Sequence, residues 1–251
     1  VSDAVELAPQ AFAALVAPAV DRVLLGAMRA ARDSHAEVVQ RYGGPTATGC
    51  LVEFRTRLAA PGGTVSTSGF AAVTRYRDPV ECRRLLDKQI AHGMLHRTEH
   101  GFRATDRGRA FLAEVHDLHA TVTADLWADH TDRVLTLVDL LGRAVSAALE
   151  LTPDGPDGAF LTLAPPHEPD ASPPGVLLLD RLDTLRHHRA DAHAAAWQAA
   201  GHTAQSITRL TTGPERQAIE QQTNRLAALP FTPLSPTDRL TLLSHLAALP
   251  T

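Results

Sequence analysis

The stretch from Asp78 to Leu112 narrows the choice of fold more than any other part of this chain. Asp78 can cap a helix, Pro79 suits a first turn that needs no N–H, and Glu81 stands at the capping-box distance. The helix so begun runs through Leu85, Leu86 and Ile90 to a glycine stop at Gly93. Met94 to Arg97 and Phe102 to Ala104 then read as short strands about His100 and Gly101, a hairpin. Thr105 and Asp106 cap the next helix, whose apolar stripe is Phe111, Val115, Leu118, Val122 and Leu126. The expected fold is therefore mainly α, with one small β-hairpin.

Helical spacing dominates the remainder. Pro9 to about Tyr42 reads as helix, divided at Pro18 and stopped by Gly43, Gly44 and Pro45. A second helix is expected from Thr46 to Ala59, ended by Pro61, Gly62 and Gly63. Thr64 to Arg77 stays open between turn, short helix and strand. The helix from about Thr131 to Leu151 is apolar around much of its circumference through Val134, Leu135, Leu137, Val138, Leu140, Leu141 and Val145. It belongs inside the fold or at a homodimer interface. Residues 152–175, rich in Pro, Gly and Asp, form a loop with a short strand at Phe160 to Leu163. Further helices follow Val176, Pro214 and Pro236. The chain thus divides into an N-terminal helical segment (1–45), a helix–hairpin segment (46–112), long helices (113–151), a loop (152–175) and a C-terminal helical region (176–251).

Lys and Arg number 24 against 28 Asp and Glu, a net charge of −4, which argues against nucleic-acid binding by bulk charge. Aromatic residues are only 4%, so Leu, Ala and Val must build the core. Cys50 and Cys82 have neither disulfide-framework nor zinc-ligand spacing and read as buried thiols in a reducing cytosol. Pro9 and Pro18 interrupt the first apolar run, so neither a signal peptide nor a membrane span is expected, and the protein is expected in the cytoplasm.

Gly93 to Arg97 followed by Gly101 to Leu112 resembles the wing of MarR-type winged-helix regulators, with a glycine ending the preceding helix and a Thr-x-x-Gly-Arg turn after the wing. The resemblance covers residues 46–112 and implies a winged helix whose helix from Asp78 enters the major groove. Arg75, Arg77, Arg83, Arg84 and Lys88, with Arg97 and Arg103 on the wing, are then the cations placed to neutralise phosphate. Asp78 and Glu81 would face those phosphates, and Asn or Gln suited to base edges is missing from the helix start. The alternative is a solvated face whose arginines pair with neighbouring acids.

Leu185 to Trp197 is the densest group of titratable residues on an apolar background. Leu178, Leu182, Leu185, Ala192, Ala196 and Ala199 line one face, and His188 and Arg189 break it. Asp191 lies three residues from His188 and could fix its tautomer and raise its basicity, as acid–base catalysis needs. His193 stands one step round the helix, Arg186 or Arg189 could anchor an anion, and Trp197 could form an apolar wall. Glu220 and Asn224 could reach the same pocket from the next helix, whereas His187 is expected to turn outward. No cofactor is predicted. A metal ion or haem would have to use these histidines, and no third ligand is identifiable. His116 and His119 are read as lying on an exposed helix edge.

A second resemblance, carried by Leu185, Arg186, His188, Arg189, Asp191 and His193 and by Glu220, Thr223, Asn224, Pro230 and Phe231, is to actinobacterial helix-turn-helix-like proteins mostly without assigned activity. It implies a winged-helix scaffold with an added helical region and supplies no reaction. Two functions are therefore expected. In the first, a pocket lined by residues 185–197 binds a small molecule and transforms it by acid–base chemistry, of lyase, isomerase or cyclase type, on a small anionic metabolite. In the second, the protein is a homodimeric DNA-binding regulator. Neither involves a membrane.

Overall fold

The computed structural model describes residues 7–152 and 158–251; residues 1–6, and 153–157 of the expected loop, lie outside the described residues. The first half contains α1 (Pro9–Ala30), α2 (Arg32–Arg41), α3 (Pro45–Glu53), α4 (Arg55–Leu58), β1 (Thr64–Ser66), α5 (Thr67–Val73), α6 (Pro79–Ala91), β2 (Leu95–Arg97), β3 (Gly101–Ala104) and α7 (Asp106–Leu126). The second half contains α8 (Thr131–Leu151), α9 (Ala159–Leu163), α10 (Pro174–Ala199), α11 (Ala204–Ile207), α12 (Pro214–Ala227) and α13 (Pro236–Ala248). The protein is mainly helical, with one small antiparallel sheet in the order β1-β3-β2.

Local chemistry explains the boundaries. Asp78 caps α6 by accepting the Val80 N–H at 2.8 Å, but Glu81 does not complete a capping box and instead pairs with Arg84. Gly93 ends the helix turn with φ +69°, a conformation L side chains rarely adopt. Thr105 accepts the Gly108 N–H at 3.1 Å and donates to the Gly93 carbonyl at 2.7 Å. A Cβ on Gly108 would come within 2.2 Å of the Met94 carbonyl oxygen, so α7 can seat on β2 only with glycine there. The Thr-x-x-Gly spacing is thus the geometry of one helix start pressed against one strand.

Two expectations change, and an alternative left open for a third helix is decided. Pro18 does not divide the first helix: it and Ala14, whose carbonyl loses a donor, are both exposed, so water can serve that group, and the break falls at Ala31. Phe160 to Leu163 is helix, not strand. The first N–H groups of α9 are met by the Asp191 carboxylate, which accepts from Ala159 at 3.0 Å and Phe160 at 2.8 Å. The apolar circumference of α8 is covered from within the chain, by α10, α13 and the turn at Leu229–Phe231, leaving Leu135 and Leu151 as its exposed large apolar residues. α8 thus takes the first of its two expected places, inside the fold.

Two main cores result. One joins α1, α8, α10 and α13 through Phe12, Val23, Leu141, Leu178, Leu182 and Leu242. The other gathers α3 to α7 and the sheet around Phe54, Phe70 and Phe102, whose ring centroids are 5.6–5.9 Å apart. α1 alone among the described helices is long and apolar enough to cross a membrane, and Phe12, Val16, Val20 and Val23 on it are buried in the first core. α7 runs from one core towards the other, and α10 touches α1, α7, α8, α9 and α12.

Candidate functional site

The helix that drew attention in the sequence is α10, and most of its polar groups are taken up by structural partners. Asp191 does not orient His188. It caps α9 and pairs with Arg75, whose guanidinium also reaches the Ala190 carbonyl. His188 packs edge-on against Phe160 with centroids 5.3 Å apart. Burial drives its pKa down to about 4 against the opposing pull of Asp191, so its imidazole is neutral. His188, Arg186 and Arg189 border a cleft of only about 50 Å³ against α1 and Phe231. Arg186 is spent on an exposed pair with Asp21 at 2.7 Å.

Arg189, His193, Glu220 and Asn224 do come together. Arg189 donates to Asn224 Oδ1 at 2.9 Å and lies 3.4 Å from Glu220, while His193 Nδ1 meets Thr223 Oγ1 at 3.1 Å. Burial lowers the His193 pKa, with Glu220 opposing. These contacts tie α10 to α12. Trp197 is buried and donates to Tyr76 Oη at 3.1 Å. His187 is not turned outward: its side chain is 13% exposed and its Nδ1 sits 2.8 Å from the Asp183 carbonyl oxygen.

A cavity of about 330 Å³, roomier than that cleft, lies two turns earlier on α10, between α4 and α7. Leu112, Ala113, Val115 and Val176 supply its apolar wall, and Arg55, His116, His119, His167 and Asp180 its polar one. The loop beside it is pinned by a two-point pair of Arg181 with Glu168 (2.7 and 2.6 Å) and by the His167 N–H on the Thr56 carbonyl at 3.2 Å.

Arg55 is held between two buried carboxylates, Nη1 on Asp183 Oδ2 at 2.9 Å and Nη2 on Asp180 Oδ1 at 3.0 Å. Burial opposes its charge, but Asp183 and Asp180 outweigh that and hold the guanidinium above its ordinary value. Burial pushes the Asp180 carboxyl up, with Arg55 pulling the other way. His119 is 4% exposed, and its ring has no hydrogen-bond partner among the described residues. Burial, with the Arg55 charge adding to it, brings its pKa down to about 3, so it faces the cavity neutral. His116 Nε2 is also buried without a partner. His119 therefore does not lie on an exposed edge: the face of α7 that carries it is covered by α10. The signal for this site was present in Asp180 and Asp183, carboxylates three apart among Leu178, Leu179, Leu182 and Leu185, because buried carboxylates demand a cation.

The cations expected to face DNA are largely engaged within the chain. Arg77 pairs with Glu53, Arg84 with Glu81, Arg97 with Asp87 and Arg75 with Asp191, and Arg103 donates to His96. Arg83 and Lys88 have no ion-pair partner among the described residues. Among those residues no three His, Cys, Asp or Glu side chains gather as a metal site. Comparison of the chain with known proteins finds no matching family model, no matching curated protein and no matching solved structure.

Proposed function

We propose that this protein binds a small molecule in the cavity between α4, α7 and α10, on a winged-helix scaffold in the cytoplasm. The single observation that carries the proposal is the unpartnered, neutral His119 imidazole, buried in the wall of a 330 Å³ volume. That volume falls in the range of about 300–1,000 Å³ common for ligand pockets. A hydrogen-bonding ligand would give the His119 ring the partner that the described residues do not supply. The winged-helix assignment is supported by the order α4, β1, α5, α6, β2, β3 and by the sheet order β1-β3-β2, in which the hairpin stands out as a wing. The site thereby moves from residues 185–197 to the preceding turns of the same helix. No bond chemistry is proposed, since His188 lacks the carboxylate partner that acid–base work would use.

The test is to incubate the protein with a metabolite extract and identify what it retains by native mass spectrometry. Ala113 lines the mouth of the cavity from an exposed helix position, so Ala113→Trp should abolish retention without unfolding the chain. His188→Ala should leave retention intact. Loss in His188→Ala with survival in Ala113→Trp would return the site to the small cleft on α1.

A second reading, a DNA-binding regulator, draws on the same helix and strand order. It is weakened by the ion pairs that already occupy four of its seven candidate cations, and a fifth, Arg103, is hydrogen-bonded to His96.

A further inference from the structure

The charge inventory around the cavity narrows what it can hold, given that the cavity is a ligand site. Arginine stays protonated in proteins, so Arg55 contributes one positive charge at every working pH. Asp180 and Asp183 flank it, so two carboxylates stand against that one positive charge. Both terminal nitrogens of Arg55 are used, and its Nε is buried without an acceptor. From α7, His119 is neutral, Asp117 adds a carboxylate at the rim, and Arg109 is drawn off by Asp106 and the Ala104 carbonyl. His35 lies near Arg55 and His119, and His187 near Asp183. An anion would thus meet no uncompensated positive charge. A cation would meet Asp180, whose Oδ1 accepts from Arg55 and whose Oδ2 has no partner among the described residues.

We infer that the cavity takes a small organic cation, an amine whose ammonium donates to Asp180 Oδ2 and His119 and whose apolar body lies along Leu112, Val115 and Val176. An ammonium has three N–H donors and no acceptor, which suits a carboxylate oxygen and the one acceptor nitrogen of a neutral imidazole. A hydrogen bond to a charged group is about twice as strong as a neutral one. The apolar wall then supplies affinity and the carboxylate supplies selection. This replaces the small anion expected from Arg186 and Arg189.

The test uses three probes of one shape, 2-phenylethylamine, 2-phenylethanol and phenylacetate, titrated calorimetrically into the full chain at neutral pH. The amine should bind about tenfold or more tightly than the alcohol, with the acid weakest. Asp180→Asn should bring the amine down to the alcohol while leaving the alcohol unchanged. If that variant does not fold, the order of the three probes on the unaltered protein still decides. Equal binding of amine and alcohol, or preference for the acid, would overturn the cation assignment and leave the cavity as a ligand site. Binding of none of the three, or binding unchanged in Ala113→Trp, would overturn both.

Discussion

His119 and His188 sit on different helices, yet burial does the same thing to each: it holds an imidazole neutral that would be protonated in the unfolded chain at mildly acidic pH. Their folded values are about 3 and about 4, against an ordinary 6.5. Below about pH 6.5 the unfolded state therefore binds protons that the native state refuses, so stability falls with falling pH. The contribution is fully present above about 6.5 and is lost as the pH drops towards about 4 for His188 and about 3 for His119. Near pH 5 the two together give a slope approaching about 2.7 kcal/mol per pH unit. Urea unfolding of His119→Leu over this range should show a slope smaller by about 1.4 kcal/mol per pH unit than the parent protein. An unchanged slope would mean that His119 is protonated in the folded state or open to water. Asp191 gives the opposite lesson. Its place beside His188 in the sequence suggested catalysis, but its oxygens are filled by two backbone N–H groups and Arg75.

α6 is where helix identity and helix function separate. Its start and stop could be read from Asp78, Pro79 and Gly93, because caps act over a few residues and leave a local signature. The partners of the arginines just before it could not, since Glu53 reaches Arg77 from α3 and Asp191 reaches Arg75 from α10. Each captured cation is one fewer counterion released from DNA. With Arg83, Lys88 and Arg103 as the cations of this surface not paired with a carboxylate, log K should fall with log salt at a slope of only about −3, compared with about −6 were all seven engaged. Binding of the purified protein to a duplex from its own promoter region, measured across salt concentrations, distinguishes these. A steep slope that collapses in Arg83→Glu/Arg84→Glu would establish the regulator instead. The same limit on local information explains α9. Four residues, three of them apolar, carry no period long enough to tell strand from helix, and the cap that decides it arrives from Asp191, more than thirty residues on. The cavity was illegible for the same reason: Arg55, His119 and Asp180 lie on three helices, and only packing brings them together.

At the scale of the molecule α10 is the member that joins the sheet-bearing core to the helical one. It holds the first through Asp180 and Asp183 on Arg55, Asp191 and the Ala190 carbonyl on Arg75, and Trp197 on Tyr76. Its other face lies in the second, at Leu178, Leu182 and Leu185. Neither core can then lose its structure without stripping partners from buried charges in the other, which is costly because an unpaired buried ion has no water to replace them. The two cores should therefore unfold in one cooperative step. Amide exchange of β3 and of the middle of α10, followed by mass spectrometry at increasing urea, should show the same urea dependence and the same limiting free energy. Arg55→Met keeps the side-chain volume but leaves two carboxylates facing each other. It should cost about 3–5 kcal/mol. Because the lost contacts are those between the cores, β3 should then open at lower urea than α10. Coincident opening in the variant would show that apolar contacts, such as Leu163 of α9 in the sheet-bearing core, suffice to couple the two without the ion pairs.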